Sequence, residues 1–104
     1  MNTLKFDELN HKILDWAAER GILQNGSAIA QLTKTEEEVA ELREALENND
    51  RDAMVDAYGD VLVTLIIGAQ IAGLDIVDCL EAAYEEIKDR KGYLNEDGIF
   101  VKEN

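Results

Sequence analysis

The sequence predicts an all-α fold, a bundle of four helices followed by a short C-terminal hairpin or extended arm. Four stretches carry apolar residues at steps of three and four, and no stretch alternates apolar with polar for long enough to make a main-body strand. Between these stretches stand clusters of glycine, asparagine, serine and aspartate that read as turns and caps. The length of 104 residues fits one domain spanning 1–104.

The first predicted helix runs from about Thr3 to Arg20, with Phe6, Leu9, Ile13, Trp16 and Ala17 on one stripe and Gly21 to end it. The segment from Gly21 to Ser27 holds two glycines, an asparagine and a serine, and reads as a loop whose Ser27 can cap the next helix. A second helix is expected from about Ala28 to Glu47, with Leu32, Val39, Leu42 and Leu46 as its apolar stripe. Asn48, Asn49 and Asp50 break it, and Asp50 offers an N-cap for a third helix ending near Ala72. Beyond Asp60 that helix is apolar nearly all round, which predicts the most buried helix of the bundle. After Gly73 and a capping Asp75, a fourth helix from about Ile76 to Lys91 is expected to bury Val77, Leu80, Ala83, Tyr84 and Ile87. In the tail, Asp97-Gly98 lies between Tyr93, Leu94 and Ile99, Phe100, Val101, which predicts the hairpin or arm. Four helices in so short a chain make a small core, so association into a homodimer or homotetramer is expected.

Composition excludes several functions. The formal net charge is -13, from 23 acidic and 10 basic residues, and the pI is near 4.2. Phosphate backbones and anionic lipid both require a basic surface, so neither nucleic acid nor membrane is an expected partner. The N-terminus has charges where a signal peptide needs an apolar core, and the lone Cys79 excludes an internal disulfide. A cytoplasmic location is expected.

The acids are concentrated. Between Glu36 and Asp60 stand ten acidic residues opposed only by Arg43 and Arg51. Glu38 and Glu41 share a face that borders the stripe of Val39 and Leu42, and Asp56 and Asp60 lie one turn apart where the third helix becomes apolar. An isolated buried carboxylate costs several kcal/mol (order of magnitude), so such a group needs a basic partner or a divalent cation. If the second and third helices pack antiparallel through the turn at Asn48–Asp50, Glu38, Glu41 and Asp60 fall at one level. Converging carboxylate oxygens suit Mg2+. The other reading is a solvated acidic face with charges favourably placed at a helix N-terminus.

The string Glu37-Glu38-Val39-Ala40-Glu41-Leu42, followed by Asp56-Ala57-Tyr58-Gly59-Asp60-Val61-Leu62, resembles the MazG-like branch of the all-α nucleoside triphosphate pyrophosphohydrolases. Their pattern is EExxE, a spacer, then ExxD. Trp16-Ala17, Glu19-Arg20-Gly21, Lys34, the EIKDRKG ending of the fourth helix and the GIFVKE tail extend the likeness over nearly the whole chain. The resemblance implies Mg2+-dependent hydrolysis of a (d)NTP between the α and β phosphates, giving the monophosphate and pyrophosphate, with Mn2+ as an alternative ion. It implies Glu38, Glu41 and Asp60 as metal ligands and catalytic acids, and Glu37 as a secondary catalytic acid that orients water or a ligand. Two positions depart from the pattern. Ala57 stands where the family has the Glu of ExxD, and Asp56, one position earlier, is the candidate fourth metal ligand in its place. Glu85 stands where the family often has Asn, three residues before Lys88.

Lys34, Lys88, Arg90 and Lys91 are candidates to hold the triphosphate, and Trp16 to stack on the base. Their alternatives are ion pairing for Lys34, favourable placement at a helix C-terminus for the other three cations, and a core position for Trp16. His11 reads as a surface residue and Cys79 as a structural thiol. Two other functions fit the same sequence. One is a nucleotide- or metal-binding module that has lost catalysis through Ala57 and Glu85. The other is an acidic mimic of DNA, which would spread its acids over an exposed surface.

Overall fold

The computed structural model describes residues 3–103, with side chains from Lys5 onward, so Asn104 of the predicted tail lies outside the described residues. It consists of α1 (Thr3–Glu19), α2 (Ile22–Asn25), α3 (Ala28–Glu47), α4 (Arg51–Ile71), α5 (Ile76–Ile87), β1 (Gly92–Leu94) and β2 (Phe100–Lys102). The four predicted helices are present, and the predicted loop after Gly21 contains the single helical turn α2. The fourth helix ends at Ile87, not near Lys91.

Local chemistry sets these boundaries. Ser27 Oγ accepts from Ala30 N at 3.0 Å and Asp50 Oδ1 from Ala53 N at 3.1 Å, so both act as N-caps. Asp75 Oδ1 does the same for α5, accepting from Val77 N at 2.7 Å. Helix α3 closes through Asn49, at φ 52°, with Asp50 N donating to the Ala45 carbonyl and Asn49 N to the Leu46 carbonyl. That pair of bonds satisfies carbonyls left over at a helix end and turns the chain back. Gly73, at φ 82°, closes α4 with the same bond pattern. In the tail, Tyr93 pairs with Val101 and Leu94 with Phe100 in an antiparallel hairpin. The Asn95 side chain holds its turn by accepting from Asp97 N and Ile99 N.

The dominant packing is α3 against α4, antiparallel. Partners recede from the turn in step: Thr35 meets Thr64, and further out the Gln31 Cβ lies 3.3 Å from where a Cβ on Gly68 would stand. Small residues allow this approach, with Ala45 and Ala57 each 4% exposed. The helices are also tied by a buried hydroxyl pair, Thr35 Oγ1 donating to Thr64 Oγ1 at 2.7 Å, while Thr64 donates to the Val61 carbonyl at 2.8 Å. Helix α1 lies along α4 and buries Asn10 and Ala17. By length and apolar content α4 would pass for a bilayer span, yet it carries Asp56 and Asp60 and pairs with α3.

The expected core is only partly formed within one chain. On α3 the buried residues are Thr35, Glu38 and Ala45, whereas Leu32, Val39 and Leu46 of the predicted stripe are exposed. Leu80, Tyr84 and Ile87, expected to be buried, are exposed, and α5 buries no residue below the surface. The reason is geometric: α4 packs mainly on α3 and then on α1, and α5 meets it only slightly. Trp16, Tyr58, Leu62 and Leu65 are exposed as well.

Replacing Thr64 with Val removes the cross-helix hydroxyl bond, but Thr35 keeps an acceptor in the Gln31 carbonyl at 2.9 Å. Thr64→Val is therefore expected to cost only about 1 kcal/mol. A denaturant titration reads this as a lowered midpoint with an unchanged slope.

Candidate metal centre

Glu38 projects from α3 into the α3–α4 contact and is 8% exposed, the most buried acid among the described residues. Its Oε1 lies 3.6 Å from Lys34 Nζ, too long for a hydrogen bond. Its Oε2 is buried and has no hydrogen-bond partner. A carboxylate oxygen in that position costs free energy until a cation meets it.

Two further carboxylates converge on it. Glu38, Glu41 and Asp60 each offer an oxygen, and the three oxygens lie within 4.8 Å of one another. Two oxygens bound to one Mg2+ lie at most about 4.2 Å apart, twice a bond of 2.0–2.1 Å. Glu41 and Asp60 are exposed and free to close that small difference. An orphaned buried oxygen, an all-oxygen donor set and two adjustable arms fit a hard divalent cation.

The electrostatics point the same way. The Asp60 carboxyl is pushed above its ordinary range, first by partial desolvation and then by the charges of Glu38 and Asp56, against a smaller opposing effect of Lys34. Lys34 is pushed above its ordinary range by its hydrogen bond with Glu37 and by the charges of Glu37 and Glu38. Its Nζ is 3.5 Å from Glu37 Oε2, so this one ammonium is shared between two acids.

The other sequence candidates are placed as follows. Glu37 is exposed and engaged by Lys34. Asp56 is exposed and stays outside the converging group, acting on Asp60 through its charge alone. Ala57, at the family's Glu position, is buried, so it and Asp56 face different surroundings. Lys88 caps the end of α5 and pairs with Glu85 at 2.7 Å, which turns that acid toward a cation of its own helix. Arg90 and Lys91 are exposed beyond the helix. Trp16 lines a cavity of about 440 Å3 together with Leu9, Lys12, Ile13, Val63 and Asp60, so one acid of the trio shares a cavity with an aromatic side chain. The Arg20 guanidinium stands 4.5 Å from the centre of the Trp16 ring. Sequence reasoning did not single out Lys12 and Arg20; each is four residues from Trp16, a spacing that places all three on one side of a helix.

The chain belongs to the MazG nucleotide pyrophosphohydrolase family, whose domain matches residues 27–94, more than half of its length. No curated protein and no solved structure shows significant similarity to it. The matched region contains the whole carboxylate trio and α3 to β1, and the all-α architecture agrees with that family. Members typically use a divalent metal, and the trio is compatible with one.

A raised carboxyl pKa means that ionised Asp60 opposes folding. That cost is absent below the ordinary carboxyl range and complete once the pH has passed the raised value. At neutral pH, Asp60→Asn is therefore expected to raise the melting temperature of the metal-free protein. Mg2+ at about 100 times its dissociation constant stabilises the wild type by about 2.7 kcal/mol. In Asp60→Asn most of that gain should vanish in a thermal melt with and without Mg2+.

Proposed function

We propose that the protein is a Mg2+-dependent pyrophosphohydrolase of nucleoside triphosphates, which adds water across the α–β anhydride to give a nucleoside monophosphate and pyrophosphate. The observation that carries this reading is the buried Glu38 carboxylate, whose Oε2 has no partner, converging with Glu41 and with Asp60, which also lines the Trp16 cavity. When bound, Mg2+, or Mn2+ in its place, neutralises charge on the phosphates and the leaving pyrophosphate and lowers the pKa of the attacking water.

The residues of the chain supply the rest. Glu38, Glu41 and Asp60 hold the cation, with Asp56 close enough in sequence to add negative charge. Glu37, exposed beside the trio, orients the water and receives its proton. Lys34, which pairs with Glu37 and Glu38, turns to phosphate oxygens when substrate binds, and Lys88, Arg90 and Lys91 serve the far end of the triphosphate. Trp16 presents an aromatic surface for the base in a cavity whose size falls in the range of about 300–1,000 Å3 usual for small-molecule sites.

A second reading, a binding module without turnover, is favoured by the buried Ala57 at the family's Glu position. Burial of Glu38 counts against the acidic mimic of DNA, which needs its acids exposed. Incubation with a panel of (d)NTPs and Mg2+ separates the readings. The enzyme releases pyrophosphate, and Glu41→Gln lowers the rate by at least about 100-fold, in line with loss of a catalytic group. Nucleotide binding without turnover would select the module, and orthophosphate as the first product would sink the assignment.

The working form is proposed to be a cytoplasmic homodimer or homotetramer. The radius of gyration is 15.9 Å, against about 13 Å for a compact chain of 100 residues. Apolar side chains of α5 and the hairpin stand exposed, among them Leu80, Tyr84, Leu94 and Ile99. So large an unpartnered apolar surface is unusual on a monomer. Sedimentation at micromolar concentration should show a species at least twice the 11.6 kDa chain mass; a lone monomer would refute this part.

A further inference from the structure

The cavity beside Asp60 holds two opposite charges in an otherwise apolar lining. Leu9, Ile13, Trp16 and Val63 form its walls, and Lys12 and Asp60 are the charged residues on it. Lys12 makes no ion pair among the described residues, with Asp60 or any other acid. In a chain with a net charge of -13, a lysine left without an acid at the edge of an apolar cavity has room for an anion from outside. Phosphate is the anion the neighbouring carboxylate trio is suited to share through a cation.

Spacing narrows the ligand. Lys12 and Trp16 lie one helical turn apart, about 6 Å of rise, which is comparable with the span from a nucleobase to its 5′-phosphate. The indole is braced by Arg20, whose guanidinium lies 4.5 Å from the ring centre and whose Nη1 donates to the Trp16 carbonyl at 3.3 Å. Lys34 stands on α3 and is occupied by Glu37 and Glu38. The two lysines thus come from different helices, and only Lys12 shares a cavity with the aromatic surface.

We propose that Lys12 is a substrate-binding residue that holds the α-phosphate, within a cavity that takes the nucleoside 5′-monophosphate half of the substrate with its base on Trp16. This rests on the nucleotide reading above and adds a residue to it. The reactive anhydride then begins at Lys12 and runs toward the carboxylate trio. The monophosphate is the product left in the cavity.

Trp16 is the only tryptophan, so its fluorescence reports occupancy directly, without turnover. The intact protein in Mg2+ is titrated with the common ribo- and deoxynucleoside 5′-monophosphates and with the matching nucleosides. The wild type is expected to bind at least one monophosphate about tenfold or more tighter than its nucleoside, the size of one charge-assisted hydrogen bond. Lys12→Met should remove most of that preference while leaving nucleoside binding within about twofold, because the ammonium meets the phosphate and not the nucleoside. Lys12→Arg should retain it, and so should Lys5→Met, on the same helix but not lining the cavity. An undiminished preference in Lys12→Met overturns the role of Lys12. No fluorescence response of the wild type to any nucleoside or monophosphate overturns the cavity assignment as well. Binding with the expected Lys12 dependence but without pyrophosphate release supports the inference and refutes only the hydrolytic reading.

Discussion

Helices α3 and α4 pack antiparallel across a turn of three residues, and the rest of the molecule depends on that pairing. Asn49 in the left-handed region reverses the chain, and Asp50 starts the next helix at once. With so short a connection, residues equally far from the turn must face each other. Small side chains at the contact draw the helices close, and the Thr35–Thr64 hydroxyl pair holds their relative level. One turn from that pair, the same pairing puts Glu38 in the interior and Asp60 beside it. A slip by one turn would leave Glu38 buried against apolar side chains, where its charge has no counterpart.

This arrangement gives the unusual charge of the chain a place. Most acids of the segment from Glu36 to Asp60 stay in water, where repulsion between neighbours costs a few tenths of a kcal/mol per pair. At the converging group the Asp60 carboxyl is raised, first by desolvation and then by the charges of Glu38 and Asp56, an opposition that Lys34 relieves only in part. A divalent cation resolves that opposition and makes an acidic surface attractive to polyphosphate. The membership of the chain in the MazG nucleotide pyrophosphohydrolase family is consistent with such chemistry.

Packing around the helical pair is thin. Among the described residues no large side chain is fully buried, and the apolar faces of α5 and the hairpin look outward. Helix α1 contributes more than coverage, because its Leu9, Ile13 and Trp16 line a cavity that Asp60 also reaches. Stability and site are therefore linked through α4, which presents different faces to α1 and α3.

Much of this was legible in the sequence, because it depends on neighbours a few residues apart. The caps Ser27, Asp50 and Asp75 act over two or three residues, so the starts of α3, α4 and α5 could be read directly. The EExxE string and Asp60 likewise named the acids that converge, since helical spacing and a short turn leave them little choice of level. Periodicity defines a face but not what covers it. For that reason Leu32, Val39 and Leu46 read as core and lie exposed, while Thr35, Glu38 and Ala45 are buried. Asp56 read as a stand-in for the Glu that Ala57 replaces, yet only Asp60 joins the trio, while Ala57 is buried and Asp56 is exposed. Lys12 looked like any surface lysine until α1 settled on α4 and set it beside Asp60 and Trp16. By itself the sequence determined the helices, their caps and the motif acids. The tertiary structure decided which of those acids converge and which of them shares a cavity with Lys12 and Trp16, because such distances depend on how helices far apart in the chain pack together.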